Sequence, residues 1–96
     1  MGDVSVIIYT MKGCPHCKEL KKKLDNLNIE YFDRDIDEYS DEYKLFVEVT
    51  DNDLVPSLLI LEENGVDYKS YIYVPDVDYH EIDEAINIIL EHKKPN

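Results

Sequence analysis

The sequence predicts an α/β fold: a four-stranded mixed sheet covered by helices, in the order β-α-β-α-β-β-α. Three observations predict it. A β-branched run, a helical apolar stripe and a second short apolar run follow one another within about thirty residues, the length of a βαβ unit. Farther on, two apolar runs flank Asn64-Gly65, a hairpin signal because both residues tolerate positive φ. A last stripe, Ile82, Ala85, Ile86 and Ile89, has the spacing of a helix with one buried face. A parallel opening pair and an antiparallel closing pair bury all these stripes in one mixed sheet.

The first strand is expected over Val4–Tyr9, where Val4, Val6, Ile7, Ile8 and Tyr9 suit a buried pleated surface. Thr10 to Gly13 reads as a loop. Pro15 then opens a helix, since its missing N–H loses no intrahelical bond at the first turn. Cys17, Leu20, Leu24 and Leu27 form that helix's apolar stripe, with lysines between them facing water. Ile29–Asp33 is the second strand, made parallel to the first by a right-handed crossover. Asp37 to Val49 is the second helix, with Tyr39, Tyr43 and Phe46 on one side, although Tyr39 also fits the entering loop. Ser57–Leu61 is the third strand, Glu62-Glu63-Asn64-Gly65 the turn and Val66–Tyr73 the returning strand. Pro75 stops it, because a central strand needs every N–H. Asp78 with Glu81 resembles a capping box before the last helix, and His80 and His92 are expected at solvent-facing helix positions.

A chain of 96 residues with 44% hydrophobic content supports one modest core, and a single domain over residues 1–96 is expected. No apolar run approaches the roughly 20 residues of a membrane span, so no membrane partner is expected. Acidic residues outnumber basic ones 22 to 10, which argues against a nucleic-acid binder, because phosphate contacts draw on Lys and Arg. Residues 12–23 run against this balance, with Lys12, Lys18, Lys21, Lys22 and Lys23 against Glu19 alone. Residues 30–42 carry seven carboxylates against Arg34, so an anionic ligand belongs at the first stretch. Two cysteines are too few for a disulfide-stapled secreted scaffold. Val4–Tyr9 is too short for a signal-peptide core, and Val6 breaks the myristoylation pattern that Gly2 begins. A cytoplasmic location is expected.

Cys14-Pro15-His16-Cys17, directly after a strand and at the mouth of a helix, is the strongest functional signal. Two intervening residues let a redox disulfide close with little backbone movement. The helix entrance presents unpaired N–H groups and a partial positive charge, which favour a thiolate at Cys14. Cys17 lies one turn inside and is expected to be the less exposed. A free cysteine, with pKa about 8.5, is only about 3% thiolate at neutral pH. A stabilisation of about 2 kcal/mol lowers that pKa by about 1.5. Lys12 and His16 add nearby positive charge. The chemistry expected is thiol–disulfide exchange, with Cys14 attacking and Cys17 resolving. Val55-Pro56 is the second signal: a cis bond there places a loop near the cysteines and offers the Val55 backbone to an extended peptide.

Lys12, Cys14-Pro15-x-Cys17, Val55-Pro56, the element order and the length together resemble the glutaredoxins, small members of the thioredoxin-like superfamily, over residues 4–92. The resemblance implies a thioredoxin-like, glutaredoxin-size α/β/α fold in three layers. His16 stands where glutaredoxins usually have Tyr. The Pro-His pair is similar to that of oxidising disulfide-forming proteins, but their large inserted helical domain is absent. Thioredoxins carry Trp before the first cysteine and Gly-Pro between the two; this chain has no Trp.

The family implies a glutathione site in which Cys14 bonds the ligand sulfur, Val55 supplies backbone contacts and Lys12 approaches a carboxylate. Pro56 forms the substrate shelf, and Asp76 and Asp78 approximate the family's terminal binding carboxylate and loop. Pro15, His16 and Lys12 are the redox-tuning set. The family's Gly-Gly pair is replaced by Ile72-Tyr73-Val74-Pro75-Asp76, whose bulk crowds the ligand's glutamyl end. No permanently bound cofactor is implied; glutathione is a co-substrate. The implied partners are disulfide-containing or glutathionylated proteins, with glutathione or a thioredoxin reductase as electron donor, and a monomer is expected. No metal site is expected, since zinc needs four ligands and His80 and His92 lack paired spacing. Two other readings stay open: a non-catalytic redox-sensitive binding module, and a glutathione-assisted iron–sulfur cluster carrier.

Overall fold

In a computed structural model, which describes residues 3–93, the alternation along the first strand sorts side chains onto two faces. The elements are β1 (Asp3–Thr10), α1 (Pro15–Asn26), β2 (Phe32–Asp35), α2 (Ser40–Thr50), β3 (Ser57–Asn64), β4 (Asp67–Tyr73) and α3 (Ile82–Lys93). Their sheet order is β2-β1-β3-β4, with β1 parallel to β2 and antiparallel to β3, and β3 antiparallel to β4. Val6 and Ile8 of β1 join Leu58 and Ile60 of β3 on one face, under Leu20 and Leu24 of α1 and Ile82, Ala85, Ile86 and Ile89 of α3. Ile7 and Tyr9 point the other way and meet Phe46 of α2 with Val74. The result is the expected three-layer arrangement, with two helices on one face and one on the other.

Several boundaries differ from those the sequence predicts, each for a local reason. The second strand starts at Phe32 and not Ile29, because residues 28 and 29 finish the preceding helix. Asn28 adopts the left-handed conformation at φ 57°. Its N–H bonds the Asp25 carbonyl at 3.1 Å, and the Ile29 N–H bonds that of Leu24 at 3.0 Å. This is the Schellman pattern, and Ile29 packs against the apolar cluster that contains Leu24. Leu27, expected on the buried stripe, is the exposed C-cap. The second helix starts at Ser40 rather than Asp37, with Tyr39 as its N-cap, so Tyr39 belongs to the entering loop. The hairpin turn is Gly65-Val66, not Asn64-Gly65, since Asn64 still pairs with Asp67. Gly65, at φ 71°, takes the first loop position, where a type II′ turn requires glycine.

The capping box is displaced. Asp78 accepts the Val74 N–H at 2.8 Å, whereas Glu84 accepts those of His80 and Glu81 at 3.0 and 2.9 Å. His80 precedes α3 and is exposed, but His92 is not the solvent-facing residue expected. Its ring lies between Glu62, bonded at Nδ1, and the Tyr73 hydroxyl, 2.6 Å from Nε2, and packs on Tyr71. This cluster fastens α3 to β3 and β4. His92→Ala leaves a half-buried carboxylate and a phenol short of partners, and is expected to cost about 2–3 kcal/mol. Urea unfolding checks it; a cost below about 0.5 kcal/mol would show the cluster to be incidental.

The strand register also fixes the position of the site. Thr10 pairs with Asp35, Tyr9 with Ser57, and Leu58 with Tyr73. The segments after β1, before β3 and after β4 therefore emerge at one end of the sheet. Every candidate site residue lies on one of these three segments or in the first turn of α1.

Candidate functional site

Cys14 is brought to the helix entrance by a tight turn. Its N–H bonds the Met11 carbonyl at 3.3 Å, and Gly13 sits at φ 78° in the position where a type II turn needs positive φ. Cys14 is then the N-cap of α1, with extended backbone, and Pro15 follows inside the first turn. The Cys14 carbonyl accepts the first helical bond, from Lys18 at 3.1 Å. Pro15 has no N–H, so the free donors of this turn begin with His16 and Cys17. The Cys17 N–H is aimed at Cys14 Sγ, 3.2 Å away. No acidic residue lies in this first turn to offset its positive end.

The two cysteines are joined as a disulfide with Cα atoms 5.2 Å apart, inside the range a disulfide spans. Both are buried, Cys14 keeping 7% of its surface and Cys17 only 1%, so Cys14 is the less enclosed of the two. His16 projects into solvent, with Nδ1 3.9 Å from Glu19. Its positive charge, when present, is shared with that carboxylate. Lys12 is exposed in the loop before Cys14, with no ion pair among the described residues.

The Val55–Pro56 bond is cis. Pro56 is buried and Val55 half-buried, and Val55 lies just beyond the β1–β3 ladder, which ends at the Tyr9–Ser57 pair. Asp76 is exposed on the loop after β4, with its backbone at φ 66° and its carboxylate 3.7 Å from His80. The sequence-predicted residues therefore meet at one sheet end: Lys12, Cys14, Pro15, His16 and Cys17 on the α1 side, and Val55, Pro56 and Asp76 on the other.

Sequence reasoning missed the residues that hold this end together. Tyr79, almost wholly buried, donates its hydroxyl hydrogen bond to the Pro56 carbonyl. Burial, and secondarily the charge of Asp78, pushes that phenol's pKa well above its ordinary value. Asn52 Nδ2 donates to the Pro75 carbonyl at 3.0 Å, a second tie between the segments flanking β3 and β4. Beneath the site, Tyr9 and Arg34 converge on Glu42, with Arg34 2.6 Å from both carboxylate oxygens. Burial alone disfavours the Glu42 charge, but these bonds outweigh it and hold its pKa below the usual carboxylate value. None of these residues has a local sequence signal, because each acts across 8 to 33 positions of chain.

The family model described as glutaredoxin matches residues 6–63, from β1 through the cysteine pair and Pro56 to β3, more than half of the chain. The chain belongs to the glutaredoxin family. No match is found among curated proteins. Among solved structures, this glutaredoxin is similar to a Trichomonas vaginalis thioredoxin, with a TM-score of 0.60 and 17% identity over 95% of this chain and 79% of that one. It is also similar to a malaria-parasite thioredoxin-2, described as a component of that parasite's protein secretion machinery. There the TM-score is 0.55 and the identity 15%, over 95% of this chain and 84% of the other. At such identities the likeness establishes a shared thioredoxin-like fold and nothing finer. Family, fold and the Cys14–Cys17 pair together point to thiol–disulfide oxidoreductase chemistry. No helix among the described residues is long and apolar enough to cross a membrane.

Proposed function

We propose that this glutaredoxin reduces or exchanges protein or glutathione mixed disulfides, with Cys14 as nucleophile and Cys17 as resolving thiol. The observation that carries the reading is the Cys17 N–H directed at Cys14 Sγ from a helix turn that contains no carboxylate. In the reduced protein that donor faces the Cys14 sulfur, and an anion there gains both the hydrogen bond and the helix-end field. A thiolate thus becomes the favoured form at the less enclosed of the two cysteines.

Cys14 thiolate attacks one sulfur of the substrate disulfide, forming a mixed disulfide and expelling the other sulfur as a thiolate. Cys17, deprotonated, then attacks Cys14 Sγ, closing the Cys14–Cys17 bond and releasing the second substrate thiolate. Two electrons pass to the substrate, and the protein ends in the disulfide-linked state described above. Pro56 and Val55 form the shelf beside which an extended substrate lies. Lys12 and Asp76 are its candidate polar contacts, while Pro15 and His16 tune the sulfur. Glutathione, or a thioredoxin reductase, restores the dithiol; no bound cofactor takes part.

The test uses reduced protein and a disulfide-containing peptide in equal amounts, followed by mass spectrometry. The proposal expects one peptide disulfide consumed for each Cys14–Cys17 disulfide formed. A dithiol that exchanges once in this way but does not turn over a glutathionylated peptide with excess reduced glutathione would instead support the non-catalytic redox-sensitive module.

A further inference from the structure

The two sides of the dithiol differ in charge, and the difference bears on what this glutaredoxin takes as substrate. On the α1 side, Lys21 pairs with Asp33, and Lys23 with Glu19 and Asp83, which leaves Lys12, Lys18 and Lys22 without ion pairs among the described residues. On the other side stand the two segments that flank the cis-proline. Residues 51–56 carry Asp51 and Asp53, and residues 74–81 carry Asp76, Asp78 and Glu81; neither segment contains Lys or Arg. All five carboxylate residues are exposed. The segments are bound to each other by Asn52 to Pro75 and by Tyr79 to Pro56, so their charges share one bank. Apolar side chains stand exposed on all three segments at this end: Met11 at 44%, Leu54 at 43% and Val77 at 72%.

We propose that the disulfide substrate is a peptide segment with apolar residues beside its cysteine and Lys or Arg flanking them. This deepens, and rests on, the exchange reading above. A peptide that pairs with Val55 runs along the acidic bank, where Leu54 and Val77 receive apolar side chains and Asp53 and Asp76 face the basic ones. Opposite charges across such a surface raise the encounter rate and set the register of docking. Glutathione, with a net charge of about −1 per molecule at neutral pH, meets repulsion along the same bank.

The experiment compares three disulfides as oxidants of the reduced full chain: a Lys-Leu-Cys-Leu-Lys peptide dimer, its Glu-flanked counterpart, and glutathione disulfide. Each rate is normalised to the rate with 2-mercaptoethanol, which removes intrinsic differences between the disulfides. The Lys-flanked dimer is expected to react at least about tenfold faster than the other two at low salt, with the gap closing at high salt. In a second arm, Asp53→Asn with Asp76→Asn is expected to reduce the low-salt preference by at least about threefold. Equal normalised rates, or a preference for the Glu-flanked dimer, would overturn the proposal while leaving the exchange reading intact. The second of those results would assign docking to the lysine bank. Failure to reduce any of the three would overturn both.

Discussion

Cys14→Ser is expected to lower disulfide exchange by at least about 1,000-fold, while the fold persists. The loss follows from the nucleophile: a serine hydroxyl does not ionise near neutrality, so it neither attacks a disulfide nor departs from one. The fold persists because position 14 is a helix N-cap, where Ser is among the preferred residues. Activity and stability are thereby separated in one variant, read out by exchange kinetics and by thermal unfolding of the reduced proteins. Cys17→Ser has a different signature. With the resolving thiol gone, the mixed disulfide accumulates on Cys14, visible as an adduct mass that dithiothreitol removes. Retention of full turnover by Cys14→Ser, or an adduct that accumulates on Cys17 in Cys14→Ser and not on Cys14 in Cys17→Ser, would reverse the assignment.

Tyr79→Phe carries the second large effect, on stability and on the site together. Its hydroxyl is the donor to the Pro56 carbonyl inside the core, so removing it strands a buried acceptor at a cost of about 1–3 kcal/mol. With the shelf loosened, exchange is expected to fall by about tenfold. The pH dependence supplies an independent readout. The Tyr79 phenol has its folded-state pKa raised above the ordinary 10.0, first by burial and then by Asp78. Below pH 10 the hydroxyl is protonated in both states, and its contribution is fully present. Above pH 10 the unfolded chain releases this proton while the folded one retains it, so stability falls by about 1.4 kcal/mol per pH unit for this group. Tyr9 behaves in the same way through burial and Glu42, and Tyr31, pushed up to about 12 chiefly by burial, adds to the slope. The wild-type protein therefore unfolds steeply in alkali, and Tyr79→Phe has a shallower slope between pH 10 and 12. Parallel slopes would remove Tyr79 from the account.

Local patterns made most of this architecture legible. The apolar run Val6-Ile7-Ile8-Tyr9 fills both faces of the sheet, and the stripes at Leu20 and Leu24 and at Ile82, Ala85, Ile86 and Ile89 cover one of them. The motif placed Cys14 at a helix entrance because Pro15 has one favoured position there. The sequence misleads where two local rules compete. Ile29 has the β-branched character of a strand residue, yet it serves as the apolar end of a helix stop that Asn28 makes possible. Asn64-Gly65 looks like a turn pair, yet Gly65 alone meets the need for positive φ and Asn64 stays in its ladder. His92 looks like a surface residue in the sequence because helical spacing cannot reveal a carboxylate on β3 and a phenol on β4. Tyr79 and Asn52 were invisible for the same reason, and they are the residues that hold the cis-proline segment in place.

The measurement that bears most directly on the account is the pH dependence of alkylation of the reduced protein, followed separately at each cysteine by peptide mass mapping. The geometry at Cys14 predicts a reactive thiolate that persists to pH values well below the 8.5 or so of a free cysteine, with Cys17 reacting far more slowly at neutrality. Two thiols that react together, and only above that value, would contradict it, because the helix entrance would then not be activating the sulfur it surrounds.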